Sequence, residues 1–205
     1  MKKILIATSN PGKVKEIKLG LLPFKNQGIT LLTLNDVGVE KKPTENGKTF
    51  KENSLIKAQF YGNLTGLPTI ADDGGLIIPY LNNEPGVKSR RWPGYEASDN
   101  ELIDYCFLHL RGVTGVDRMA YLVVNLCFFD PKTNKTFFQE EKIKGRIANV
   151  PSKKRMAGYP FRTLFIVDKF KKYYDELTEK EHQIINHRLK AIKKLSEKII
   201  KYLLK

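Results

Sequence analysis

Apolar positions along this chain change period several times, and each change predicts an element. Ile4, Leu5, Ile6 and Ala7 form a continuous apolar run suited to a buried strand. Thr8-Ser9-Asn10-Pro11-Gly12 is a turn carrying helix-starting residues, and Val14, Ile17 and Leu21 then recur at helical spacing. The chain thus opens strand, loop, helix, the start of an α/β unit. A further strand is expected near Ile29 to Leu34. Thr49 and Glu52 match a capping box for a helix running through Leu55, Ile56 and Gln59 to about Leu64.

Pro68-Thr69-Ile70-Ala71, Asp72-Asp73-Gly74-Gly75 and Leu76-Ile77-Ile78 read as strand, tight turn, strand. Residues 82–95 hold two prolines and two glycines and read as a loop. Ser98 and Glu101 form a second capping box for a helix through Leu110. Residues 118–147 read as two long strands joined by the turn residues Asp130 to Lys135. In the tail, Ile185, Leu189, Ile192, Ile199 and Leu203 fall on one helical stripe with Leu195 beside it. Strands and helices are mixed, without repeats or low-complexity linkers. The fold class expected is α/β: a central mixed β-sheet with flanking helices.

Composition narrows this. A chain of 205 residues, 41% hydrophobic and 28% charged, is neither a disordered tail, a collagen nor a coiled-coil rod. The strongest apolar run, Leu122 to Phe129, is broken by Asn125 and falls short of the ~18 residues of a membrane span. The apolar stretch after Met1-Lys2-Lys3 ends at Ala7, below the ~7–15 residues of a secretory h-region. Cys106 and Cys127 sit in apolar patterns without a CxxC, as reduced core thiols do. A cytoplasmic protein with no membrane association is expected. The Asn63-Leu64-Thr65 sequon carries no weight without a secretory signal.

Charge asks for a partner. Thirty-six Lys and Arg against 22 Asp and Glu leave +14. Such a surface suits nucleic acid, or a polyanionic small molecule such as a nucleotide, and equally a lysine-rich compositional bias. Between Lys142 and Arg162 stand seven basic residues and no acid, which predicts a basic face.

Four clusters carry candidate chemistry. Thr8-Ser9-Asn10-Pro11-Gly12-Lys13 lies at a strand end entering a helix, where amides and a lysine attract anions, although no Walker A pattern is present. It is a triphosphate cradle or merely a turn. Asp72 and Asp73 follow an apolar strand; adjacent strand residues face opposite ways, so one could reach a hard cation while the other braces the loop, and the alternative is a polar turn. Glu45 is a further ligand if the fold brings it close. Asn186-His187-Arg188, near the start of the tail helix, could meet phosphate or a base edge, or form a solvated face. Tyr159-Pro160-Phe161-Arg162 could stack a base, or supply core residues to a strand leading to Phe165.

Together, in order and spacing, these motifs resemble the inosine triphosphate pyrophosphatase family, the Ham1/RdgB-like enzymes that remove non-standard purine nucleotides. The resemblance spans nearly the whole chain. It runs from Ala7-Thr8-Ser9-Asn10-Pro11-Gly12-Lys13 with Glu16, through Thr49-Phe50-x-Glu52-Asn53-x-x-x-Lys57-Ala58 and Ala71-Asp72-Asp73-Gly74-Gly75-Leu76. It continues with Pro85-Gly86-Val87-x-Ser89-x-Arg91, Gly145-Arg146-Ile147 and Asn186-His187-Arg188-x-x-Ala191. It implies one ITPase-like domain over 1–205 with two lobes around a nucleotide cleft, and a homodimer. It implies hydrolysis of a nucleoside triphosphate between the α- and β-phosphates, giving a monophosphate and pyrophosphate, with Mg²⁺ bridging the phosphates. By resemblance, Glu45 and Asp73 hold the metal with Asp72 in support, and Asp73 is the general base. Thr8 to Lys13, Lys57 and Arg188 hold phosphates, and His187 lies near the base.

The departures fall around the base. Gly74 and Asn186 each replace a family serine, and His182 replaces a lysine. Counted back without gaps from His187, the family's Phe-Gly-Tyr-Asp-Pro-x-Phe loop becomes Tyr159-Pro160-Phe161-Arg162-Thr163-Leu164-Phe165. Tyr159 and Phe161 then keep the stacking aromatics, and Arg162 replaces the acid. A carboxylate only accepts hydrogen bonds and a guanidinium only donates them. Arg162 therefore suits acceptors, such as O6 and N7 of a 6-oxopurine or pyrimidine carbonyls, unless it turns outward to solvent. Altered base preference with retained phosphate chemistry is expected. A nucleotide-binding regulator without turnover and a basic nucleic-acid-binding protein are the alternatives, nucleic acid being the weaker.

Overall fold

The residues that open the chain show why its strands read as unbroken apolar runs. In the computed structural model, which describes residues 2–203, strand β1 (Lys2–Ile6) pairs in parallel with β2 (Ile29–Thr33) and with β3 (Thr69–Ile78). Met1, Leu204 and Lys205, the ends of the expected 1–205 domain, lie outside the described residues. Ile4 and Ile6 enter one apolar cluster and Leu5 and Ala7 another, so both faces of β1 are covered and alternation disappears from the sequence.

The remaining strands are β4 (Glu84–Pro85), β5 (Met119–Asp130), β6 (Lys135–Ile147), β7 (Phe165–Val167) and β8 (Lys172–Tyr173). One mixed sheet runs in the order β2-β1-β3-β5-β6-β7-β8, with β4 on β3. The helices are α1 (Pro11–Gly20), α2 (Leu22–Lys25), α3 (Phe50–Thr65), α4 (Asp99–His109), α5 (Glu179–Ile185) and α6 (His187–Leu203). No helix among the described residues is long and apolar enough to cross a membrane.

The chain divides into two compact units. The first holds the chain up to Gly74, Val124–Glu141 and the chain from His187 onward. On one face of its strands, Ile4, Ile6, Ile70, Val124, Leu126 and Phe128 meet Ile17 and Leu21 of the α1 segment and Ile192, Leu195 and Ile199 of α6. On the other, Leu5, Ala7, Ala71, Cys127 and Phe129 meet Ala58 and Tyr61 of α3. Asn125, which interrupts the apolar run, shares the α3 face and accepts Ser54 Oγ at 3.0 Å, so its burial is compensated. A glycine lets α1 approach α6: a Cβ at Gly20 would lie 2.5 Å from Ile192 Cγ2.

The second unit holds Gly75–Val123 and Lys142–Asn186. Its core gathers Leu76, Ile78, Trp92, Leu102, Cys106, Leu122, Phe161, Leu164, Phe165 and Tyr174. Arg118 is buried there and donates to four backbone carbonyls: Nε to Ile147, Nη1 to Leu110 and Val113, and Nη2 to Ala148. On β6, exposed Lys142, Lys144 and Arg146 alternate with buried Ile143, Gly145 and Ile147. Lys153, Lys154 and Arg155 are exposed as well, whereas Arg162, the last residue of the expected basic stretch, is buried.

Four local expectations are corrected. Asp72-Asp73-Gly74-Gly75 is not a tight turn: β3 runs through it, and neither glycine takes a positive φ. Residues 82–95 contain β4 and a 3₁₀ turn at Gly86–Arg91 rather than only loop. The tail is two helices, broken at Asn186, whose ψ of 101° is not helical; Ile185 belongs to α5. The Thr49 cap is half a capping box. Thr49 accepts the Glu52 amide, but Glu52 Oε2 reaches past it to the Lys48 amide at 2.6 Å. Ser98 and Glu101 form the full reciprocal box at the start of α4. Cys106 and Cys127 are free and buried, and burial pushes both thiols up to about 12.

Candidate active site

Strand parity assigns the two aspartates to different partners. Ile70 faces α1 and α6 and Ala71 faces α3, so two residues on, Asp72 faces α1 and α6 and Asp73 faces α3. The side chains follow that rule. Asp72, 1% exposed, receives Lys13 Nζ at 2.9 Å and Arg188 Nε at 3.2 Å, both on Oδ2. Arg188 also donates from Nη1 to Glu16 Oε2 at 2.6 Å. On the other face Lys57 Nζ lies 3.2 Å from Asp73 Oδ1 and 2.7 Å from Glu45 Oε2.

Each group is placed by local structure. Asn10 caps α1, accepting the Lys13 amide at 3.1 Å, while its own amide donates to Thr8 Oγ1 at 3.3 Å. Pro11 stands in the first helical turn, which carries no acid, so the positive end of the α1 dipole stays uncompensated by its own sequence. Ser9 is exposed and Gly12 half-buried in this segment. Glu45 lies in a loop fastened to α3 by the Gly47 amide on Asn53 Oδ1 at 2.8 Å and by the Lys48 amide on Glu52. That close approach needs a glycine: a Cβ at Gly47 would meet Asn53 Oδ1 at 2.6 Å. His187 and Arg188 open α6 and are both buried.

The electrostatics differ on the two faces. Burial alone would raise the Asp72 carboxyl, but the Lys13 ammonium and the Arg188 guanidinium outweigh it and hold the group well below the usual carboxylate range. Burial raises Asp73, and neighbouring Glu45 and Asp72 add to this against the pull of Lys57 and Lys13, leaving it above its ordinary value. Lys57 loses to burial but gains more from Asp73, Asp72 and Glu45, and its pKa is raised. Glu45 and Asp73 thus offer carboxylate oxygens to one point, the donor chemistry of a hard divalent cation. No cluster of three or more His, Cys, Asp or Glu side chains suited to a metal occurs among the described residues. Asp72 keeps its Oδ2 on the two cations, and its Oδ1 is buried without a hydrogen-bond partner among the described residues.

The base-loop residues belong to the second unit. Tyr159 is half-buried and precedes a 3₁₀ turn at Pro160–Leu164. Phe161 is a core residue, edge-on to Trp92 with ring centroids 6.1 Å apart. Arg162 is 8% exposed, so it does not turn outward to solvent. His182, in α5, sets its ring edge-on to Tyr174 at 4.8 Å. Within the first unit, Lys13, Asp72 and Arg188 are brought together, as are Glu45, Lys57 and Asp73; Gly74 follows on β3.

The sequence placed Glu16 in the first motif without a role and gave no sign of Asp175. Glu16 anchors Arg188 from the same helix that carries Lys13, three residues before it. Asp175, beside Tyr174, carried no motif.

The Ham1 family model matches residues 4–198. A dITP/XTP pyrophosphatase of Thermus thermophilus is 38% identical over 195 residues, covering 95% of this chain and 90% of that protein. The structure of a HAM1 protein from Coxiella burnetii superposes with a TM-score of 0.86 at 31% identity, covering 98% of this chain and 100% of the other. That of a nucleoside-triphosphatase / dITP/XTP pyrophosphatase from Mycobacterium abscessus gives 0.78 at 32% identity, covering 94% and 97%.

Proposed function

Since this chain belongs to the Ham1 family, we propose that it hydrolyses non-standard purine nucleoside triphosphates, of the dITP and XTP kind, to a monophosphate and pyrophosphate. The observation that carries the reading is the pairing on β3: Asp72 holds Lys13 and Arg188 on one face while Asp73 and Glu45 share Lys57 on the other. Three cations gathered within one unit suit a triphosphate, and the α1 N-terminus adds an anion-attracting dipole.

Thr8, Ser9, Asn10, Pro11, Gly12 and Lys13 would cradle the phosphates with Lys57 and Arg188, and His187 would lie near the base. Glu45 and Asp73 would hold Mg²⁺, whose chemistry there is to neutralise charge on phosphate oxygens. Asp73 accepts the proton of the attacking water. The water oxygen bonds to phosphorus, and the bond to pyrophosphate breaks, the electron pair leaving with pyrophosphate. A carboxyl raised by its surroundings is a better proton acceptor than an ordinary aspartate. Asp72 keeps Lys13 and Arg188 oriented. Arg162 would set base preference toward acceptors, with Tyr159 and His182 near the base. A homodimer in the cytoplasm is the expected setting.

The test is pyrophosphate release from inosine, xanthosine, adenosine, guanosine, cytidine, thymidine and uridine triphosphates, in ribo and deoxy forms, with and without Mg²⁺. Asp73→Asn serves as the blank. Magnesium-dependent release that the variant loses supports the reading, and no release from any substrate sinks it.

A further inference from the structure

The guanidinium of Arg162 is held between two phenol rings. Its Cζ lies 3.8 Å from the centroid of Tyr159 and 4.8 Å from that of Tyr174. Such stacking fixes the plane of the group and therefore the directions of its N–H donors. Tyr174 opens a 3₁₀ turn, Tyr174–Glu176, and Asp175 follows it directly.

Met156 ties the two charged groups together. Its backbone N–H acts on the Asp175 carboxyl and holds its pKa down, and its Sδ accepts from Arg162 Nη1 at 3.7 Å. One carboxyl oxygen, Asp175 Oδ2, is screened from solvent and has no hydrogen-bond partner among the described residues. A buried acceptor left without a donor is costly, and a native site that tolerates one asks for an explanation. A ligand that brings the donor supplies it.

A guanidinium donor with a carboxylate acceptor within its electrostatic reach fits a base edge with a carbonyl beside an N–H. That is the lactam edge: O6 and N1–H in a 6-oxopurine, O4 and N3–H in uracil. Adenine and cytosine reverse the order, setting an amino donor beside a ring-nitrogen acceptor. We propose that Asp175, together with Arg162, is a specificity-determining residue that selects nucleotides whose base carries a lactam edge.

This rests on the nucleotide-substrate reading above and narrows it, because Arg162 alone welcomes any acceptor. Asp175 restores the acceptor that the loop loses when Arg162 stands in it. Burial raises the Asp175 carboxyl to about 6 and Arg162 opposes that rise, so the acceptor form prevails at neutral pH.

The experiment compares wild type with Asp175→Asn, which keeps the shape and the Met156 bond, and with Asp175→Ala. Values of kcat/KM are measured near neutral pH for inosine against adenosine triphosphate, and for uridine against cytidine triphosphate. Both ratios are expected to fall about ten- to hundred-fold in the variants, mostly through KM for the lactam substrates. Ratios that stay unchanged in either variant, with its thermal midpoint intact, overturn the proposal. Dissociation constants for inosine and adenosine monophosphates are measured in parallel. If wild type releases no pyrophosphate the hydrolysis reading falls, and loss of the inosine preference in the binding constants still upholds the Asp175 assignment. Its persistence removes it.

Discussion

Arg188 and Asp72 stand 116 residues apart in sequence and meet at 3.2 Å on a carboxylate oxygen that Lys13 also occupies. Replacing Asp72 with Ala leaves buried Arg188 and half-buried Lys13 without their common acceptor. Unfolding free energy is expected to drop by about 3–5 kcal/mol, read as a lower urea midpoint at unchanged slope. Because the folded-state pKa is depressed, this contribution is complete above the ordinary aspartate value of about 4. It fades as pH falls through the lowered value, so wild type and variant converge in strong acid.

Asp73 is expected to behave in the opposite sense. Its surroundings raise its pKa, so ionised Asp73 costs stability, and that cost grows as pH rises through the folded value. Asp73→Asn is expected to melt at or above the wild-type temperature at neutral pH. Its pyrophosphate release is expected to fall by about 10²–10⁴. A lower melting temperature would show that the Lys57 pair is worth more than its desolvation.

Base preference should be pH-dependent. The groups acting on Asp175 are Arg162, which lowers it, Glu176, which raises it, and the Met156 amide, with His182 packed on neighbouring Tyr174. Phe165–Val167 of β7 brings no titratable side chain. As pH drops below about 6 the carboxyl gains a proton and loses its role as pure acceptor. The inosine-to-adenosine ratio of kcat/KM is expected to decline there, and the decline should be missing in Asp175→Asn.

Gly20 sits where any β-carbon would press on Ile192. Gly20→Val should cost about 1–3 kcal/mol by overpacking, visible in thermal unfolding. Activity should fall as well, because α1 carries Lys13 and Glu16 and α6 carries Arg188.

Arg118→Met would strand the carbonyls of Leu110, Val113, Ile147 and Ala148. A loss of about 3 kcal/mol is expected in denaturant titrations. Arg118→Lys should recover only part of it, since an ammonium cannot reproduce the planar fork.

Much of the architecture could be read from residue patterns because those patterns were local. The Ser98 box, the turn from Asp130 to Lys135 and the unbroken Ile4-Leu5-Ile6 run each specify an element within a few residues. Asp72 to Gly75 misled because composition there favours a turn, while non-local pairing within the sheet, where β3 lies between β1 and β5, holds the backbone extended. The tail stripe hid the break at Asn186, since Ile185 keeps the helical period across it. The Thr178 and Glu181 capping box that begins α5 was a local signal passed over. Arg118 gave no signal, because its partners are backbone carbonyls that leave no trace in side-chain identity. Lys13, Glu45, Lys57, Asp73 and Arg188 were identifiable by type and order; Asp175 became visible only beside Arg162.

The alternation of β3 has an evolutionary consequence. One residue inserted or deleted between Ile70 and Asp72 would send each aspartate to the other's helices, stranding Lys13 and Arg188 and crowding Lys57. Sequence length in this short stretch is therefore constrained along with the buried side chains it carries. An odd change in spacing there removes both charge assemblies at once.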